Sequence, residues 1–113
     1  MSFYLISFPS SAMTVDESEL AEASRDSHAV IAEMKAAGVY RFGGGIDESV
    51  AAVHVAADGT LSEQTYPQSR ELNGGMTIIE VATREEALDW TRRMTVGCHT
   101  VQELREFMYD PEI

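Results

Sequence analysis

The sequence predicts an α+β fold, in which two helices cover one face of an antiparallel sheet in the order β-α-β-β-α-β. Short apolar runs bounded by Gly, Pro or Asn alternate with two longer segments of helical periodicity. Both longer segments begin with the Thr-x-x-Glu pattern of a helix capping box. The first run, residues 3–8, is apolar on both of its alternating faces, which is typical of a strand covered on both sides.

The first half of the chain is predicted to form a strand, a long helix and a second strand. Residues 3–8 end at a Pro-Ser-Ser turn. A helix begins at Val15, behind the capping box that starts at Thr14, and runs to residue 37, where Gly38 supplies the stop. One side of this helix is largely apolar. Residues 39–42 form a short strand that ends in three glycines.

The middle of the chain carries three strand signals separated by turns. Residues 50–55 are interpreted as a strand, and they are followed by Asp58-Gly59, a dipeptide typical of hairpin turns. Residues 61–66 return as a further strand or as a loop, and the sequence leaves both open. Residues 76–81 are a clear strand, because they follow an Asn-Gly-Gly turn and are rich in β-branched residues.

The last third is predicted to form a second helix and an edge strand. The capping box at Thr83 opens the helix, and Gly97 ends it. Residues 98–109 are compatible with two structures, because their apolar spacing fits a helix whereas a final edge strand completes the β-α-β-β-α-β order. We interpret them as a strand.

The elements predicted along the chain, β-α-β-β-(β)-β-α-β, have the pattern of a ferredoxin-like sheet. Two helices can cover only one face of such a sheet, yet the first strand is apolar on both faces. A second copy packed sheet against sheet would bury the remaining face. The sequence therefore predicts a homodimer through the sheet face, of the dimeric α/β-barrel type.

The composition limits the classes of partner and compartment. The 113 residues are predicted to form one domain, 1–113. With 8 basic and 19 acidic residues the net charge is −11, which argues against binding to nucleic acid or to an anionic membrane. Cys98 is the only cysteine and cannot form an intrachain disulfide, and the sequence shows no signal-peptide or membrane-spanning pattern. We therefore expect a cytoplasmic protein.

Five short sequence motifs are spread over most of the chain, and their order and spacing can be compared with those of known families. They are Ser27-His28-Ala29-Val30-Ile31, Phe42-Gly43-Gly44-Gly45, Gly74-Gly75-Met76-Thr77-Ile78-Ile79-Glu80-Val81, Glu86-Ala87-Leu88-Asp89-Trp90 and Gln102-Glu103-Leu104-Arg105-Glu106-Phe107. By this order and spacing the chain resembles the YCII-related family, in particular its DGPF branch. The resemblance implies a single YCII-related domain and supports a C-terminal strand. The tetrapeptide that names the branch would fall at Glu63-Gln64-Thr65-Tyr66, where its Gly-Pro is lost.

His28 is the strongest candidate for a functional residue. It lies on the rim of the apolar side of the first helix, beside Ser24, where a side chain can reach a cleft between helix and sheet. A histidine side chain has a reference pKa near ~6.5 and can therefore accept or release a proton near neutral pH. The resemblance implies that a helix-one histidine is paired with an acid, for which Glu63 is the candidate. The alternative is a half-buried histidine bonded to a backbone carbonyl.

Tyr66 and Arg70 follow Glu63 along the same loop and are, with Ser24, the candidates for substrate binding. A tyrosine hydroxyl could donate a hydrogen bond to an oxyanion, and an arginine could hold a substrate carboxylate. The alternative interpretation is an ordinary polar loop.

The function expected from these residues is that of a small-molecule enzyme of the YCII-related type. His28 would act as general acid or base in a helix–sheet pocket. No metal or cofactor is expected, since the three histidines lack ligand spacing and no phosphate-binding loop opens a helix. The alternative is a non-catalytic ligand-binding or regulatory domain that keeps the family fold. A relationship to dimeric α/β-barrel oxygenases and isomerases is a third possibility, although fold alone does not establish activity.

Overall fold

The computed structural model describes residues 1–113, which form an α+β structure of two helices and an antiparallel sheet. The strands are β1 (Ser2–Ser7), β2 (Tyr40–Gly45), β3 (His54–Val55), β4 (Leu61–Ser62), β5 (Gly75–Val81) and β6 (Glu103–Glu106). The helices are α1 (Glu17–Ala36) and α2 (Arg84–Cys98). Two short 3-10 turns lie at Ser10–Ala12 and Pro67–Ser69. The predicted α+β class is confirmed.

The main sheet has the strand order β2-β5-β1-β6, and all neighbouring strands are antiparallel. This arrangement is compatible with a ferredoxin-like fold. The ambiguous C-terminal segment supplies the edge strand β6, which pairs with β1. Residues 46–74, here called the insertion, connect β2 to β5, and within them β3 and β4 pair only with each other. Of the strand predicted over 50–55 only His54–Val55 is a strand, and of residues 61–66, left open between strand and loop, only Leu61–Ser62 is a strand.

The helix boundaries differ from the prediction at two ends. Asp16, not Thr14, caps α1, because its carboxylate accepts a hydrogen bond of 2.8 Å from the amide of Glu19. The predicted cap of α2 is confirmed, since the Thr83 hydroxyl accepts from the amide of Glu86. Gly97 does not end α2.

Gly97 lies inside α2 at its contact with α1. A Cβ atom there would lie 3.0 Å from Val30 Cγ2 and 3.1 Å from the carbonyl oxygen of Asp26. Glycine is therefore present because the two helix backbones approach closely. The helix ends at His99, which adopts the left-handed conformation with φ 56°.

The core lies between the helices and the inner face of the sheet. Its fully buried large side chains are Ile6, Met34, Ile79 and Val81. The outer face carries the opposite set of side chains, because neighbours along a strand alternate. Phe42, Ile78 and Leu5 lie directly across from one another on that face, and neither helix covers them. Phe42 is 62% exposed.

His99 joins the two helices through a pair of carboxylates from α1. Its Nε2 lies 2.9 Å from Asp26 Oδ2, and its Nδ1 lies 3.3 Å from Glu19 Oε1. The hydrogen bond to Asp26 raises the pKa of His99, and the hydrogen bond to Glu19 raises it further. Desolvation by burial lowers the pKa, but the net shift is upward. The protonated imidazole therefore stabilises the contact between the helices.

This cluster predicts a stability that falls with rising pH. Since the pKa of His99 is higher in the folded than in the unfolded chain, the stabilisation is complete below about pH 6.5 and is lost as pH rises through the folded value. Urea unfolding on both sides of this interval measures the change. His99→Asn, which tolerates the left-handed conformation, is expected to flatten the dependence. An unchanged slope in this variant would refute the assignment.

Candidate functional site

A cavity of about 270 Å³ lies between α1 and one end of the sheet. Its helix side is formed by Leu20, Ala23, Ser24, Ser27, His28 and Ile31. Its sheet side is formed by the ends of β2 and β5, and Phe8, Met94 and Cys98 close it at the core. It is slightly smaller than the ~300–1,000 Å³ of typical ligand pockets, so it suits a small organic molecule.

The glycines before and at the start of β5 allow the cavity wall to form. A Cβ atom on Gly75 would lie 2.7 Å from the Phe8 ring, and one on Gly74 would overlap the Phe8 carbonyl oxygen. Phe8 can therefore lie across this strand end, where its amide donates to the Gly75 carbonyl at 3.2 Å. Gly45 is different, since a Cβ there would meet nothing closer than the Gly74 carbonyl oxygen at 3.9 Å. Space at Gly45 keeps the cavity open.

His28 and Ser24 lie one helical turn apart on the α1 side of the cavity. His28 is exposed, and none of the side-chain hydrogen bonds within the chain involves its imidazole. The alternative of a half-buried histidine bonded to a backbone carbonyl is therefore wrong. Both ring nitrogens are free to meet a ligand.

The other predicted site residues lie in the insertion, away from His28. Tyr66 and Arg70 line a second cleft of about 520 Å³, together with His54, whose ring centroid is 4.7 Å from that of Tyr66. Glu63 is exposed and lines neither the His28 cavity nor this cleft. The predicted pairing of His28 with Glu63 is thus not formed within the chain, because the insertion folds as its own hairpin.

Two buried polar side chains that line the cavity are not among the site residues predicted from the sequence. Thr77 is 4% exposed and Gln102 is 9% exposed, and both line the cavity. Thr77 was visible as a polar residue that alternates with Ile79 and Val81 along β5, on the face that packs inward. No sequence signal marked Gln102, since it precedes β6 in an irregular segment.

The cavity carries no formal positive or negative side chain from Lys, Arg, Asp or Glu. Four of its lining residues contain sulfur, namely Met13, Met76, Met94 and Cys98. Burial raises the pKa of the Cys98 thiol to about 11, so this thiol is not a nucleophile near neutral pH. Cys98 is a wall of the cavity and not a reacting group.

Comparison with known proteins adds no assignment. No protein-family model matches the chain, and none of the curated proteins is significantly similar to it. Membership of the YCII-related family therefore stays a prediction.

No group of three or more His, Cys, Asp or Glu side chains is arranged to hold a metal ion. Neither helix has the length and apolar character needed to span a bilayer.

Removing the His28 side chain is expected to leave the fold intact. His28→Ala should lower the free energy of unfolding by about 1 kcal/mol or less, because an exposed imidazole without hydrogen bonds contributes little. Met34→Ala is the contrast, since deletion of a fully buried side chain costs about 2–5 kcal/mol. Denaturant unfolding of both variants measures the difference. A loss at His28 as large as that at Met34 would mean that this histidine is structural.

Proposed function

We propose that the protein binds a small organic molecule in the cavity between α1 and the sheet. The observation that carries the proposal is the lining, in which apolar walls from Phe8, Ile31 and Met94 surround a few polar groups with free hydrogen-bonding capacity. Ligand sites in proteins commonly combine an apolar lining with a small number of placed polar groups. His28 stands at the exposed side of this cavity, where it would contact a bound molecule.

Binding is favoured over catalysis by the chemistry around His28. An imidazole that acts as general base is commonly oriented by a carboxylate, as in catalytic triads. The cavity has no carboxylate, and Glu63 lies in the insertion. The Cys98 thiol is protonated at neutral pH because its pKa is raised by burial. The lining of the cavity therefore supports recognition of a ligand more than acid–base catalysis.

Acid–base catalysis by His28 without a cofactor is the second candidate. It is supported by the free imidazole, which could exchange a proton with a ligand in the cavity. The two candidates differ in the effect of His28→Gln, which keeps polarity and size but cannot transfer protons. Catalysis would be lost in this variant, whereas ligand affinity would change little.

We also propose that two copies associate through the outer face of the sheet. The chain exposes 7816 Å² of surface. A compact monomer of 12.4 kDa exposes about 6100 Å². The excess of roughly 1700 Å² exceeds the ~800 Å² that each partner buries in a standard interface. The apolar row of Phe42, Ile78 and Leu5 offers a surface that a second copy would cover.

Solution NMR with a fragment probe tests the binding proposal. Benzamide is expected to shift the backbone amides of cavity residues, such as Ser24, Gly45 and Thr77, in a saturable manner. Shifts that cluster at Tyr66 and Arg70 would place the ligand site in the insertion instead. The absence of any saturable shift for a panel of neutral and charged fragments would refute the proposal.

A further inference from the structure

Two polar side chains of the cavity have hydrogen-bonding capacity that the fold does not use. The Thr77 hydroxyl forms no hydrogen bond within the chain. The Gln102 amide nitrogen donates to the Thr100 carbonyl at 3.0 Å, which leaves its Oε1 without a donor. His54 Nε2 is the side-chain atom that is both fully buried and without a hydrogen-bond partner. The two oxygens of Thr77 and Gln102 therefore retain some exposed surface, and both residues line the cavity. Buried polar groups of this kind are normally satisfied, here by whatever enters the cavity.

The same cavity has no permanently charged side chain that could pair with an ionised ligand. None of its lining residues is Lys, Arg, Asp or Glu. A carboxylate or phosphate bound there would lack a permanent counter-charge, which is costly in a site of low polarity, and only the protonated form of His28 could pair with it. The protein's net charge of −11 adds a general repulsion of anions.

From these observations we infer that the cavity selects an uncharged molecule with one group that both donates and accepts a hydrogen bond. This inference rests on the proposed function and names its ligand class. A primary amide or a hydroxyl fits, because it can accept from the Thr77 hydroxyl and donate to Gln102 Oε1. The remainder of the ligand is apolar and ring-bearing, since the lining residues Met13 and Met94 carry thioethers, which make favourable contacts with aromatic rings.

Three probes of similar size test the selection. Benzamide carries the required neutral group, benzoate replaces it with an anion, and ethylbenzene has no hydrogen-bonding group. Fragments of this size bind with dissociation constants on the order of 1 mM, within reach of NMR titration. Benzamide is expected to bind about tenfold more tightly than either of the others. It is the only probe of the three that can form both neutral hydrogen bonds, and losing them weakens binding by about this factor.

Substitutions at Thr77 test whether its hydroxyl causes the preference for benzamide. Thr77→Val keeps the shape and removes the hydroxyl, so the preference for benzamide over ethylbenzene should fall several-fold, with ethylbenzene affinity retained or raised because no unpaired hydroxyl is then covered by the apolar probe. Thr77→Ser keeps the hydroxyl and is expected to keep the preference. Equal binding of all three probes, tighter binding of benzoate, or an unchanged preference in Thr77→Val would overturn the inference but leave the cavity as a binding site. If no probe shifts the cavity amides, the proposed function itself fails.

Discussion

Ile78→Asp is expected to convert a dimer into a monomer. Ile78 is the middle residue of the apolar row on the outer face of the sheet, with Phe42 on one side and Leu5 on the other. A carboxylate placed there would be buried in a sheet-to-sheet interface without a partner, which lowers dimer affinity by roughly 100-fold or more. Sedimentation velocity at micromolar concentration measures the change from twice 12.4 kDa to 12.4 kDa.

Leu88→Asp is the matched control for this prediction. Leu88 is 48% exposed on α2, on the opposite side of the molecule from the outer sheet face, and the substitution adds the same charge. The control is expected to remain a dimer. A wild-type monomer, or equal dissociation by both variants, would show that the sheet face is not the interface. Circular dichroism of each variant verifies that the helices are retained.

Gly45→Leu is expected to abolish ligand binding without unfolding the protein. Gly45 lines the cavity, and a Cβ atom there meets no atom closer than 3.9 Å. Its backbone does not require the left-handed conformation that only glycine adopts easily. A leucine can therefore be accommodated in the strand while its side chain takes up the space of the ligand. Benzamide affinity should fall at least tenfold, because a fragment of this size cannot share the cavity.

Ala29→Leu serves as control for the added leucine side chain. Ala29 is exposed on α1 and does not line the cavity. This variant should bind benzamide as the wild type does. Ser24→Phe, which fills the cavity from the helix side, is expected to reproduce the effect of Gly45→Leu. Retained binding in both cavity-filling variants would exclude the cavity as the binding site.

Elements with local signals could be predicted from the sequence, and their ends depended on neighbours. The cap at Thr83 formed as expected. The pattern at Thr14 failed because Asp16, two residues later, is extended and close enough to accept from Glu19. The end of α2 could not be located from Gly97, since His99 is held by Asp26 and Glu19, which lie 73 and 80 positions away.

The candidate site was predictable only where helical periodicity located it. The spacing along α1 indicated that His28 would face a cleft, and the structure has it on a cavity wall. Glu63 was paired with it through the family resemblance, and Tyr66 and Arg70 were added because they follow Glu63 in the same loop. Neither ground indicates that β3 and β4 form a separate hairpin. Gln102 reaches the cavity only through the tertiary arrangement of β6 beside β1.

A crystal structure after soaking with benzamide tests most directly whether the cavity between α1 and the sheet is a small-molecule site. We predict density for the fragment between His28 and Thr77, with its amide group at the Thr77 hydroxyl and at Gln102 Oε1. Density confined to the cleft beside Tyr66 and Arg70, with the cavity unchanged at a concentration that saturates binding in solution, would contradict the claim.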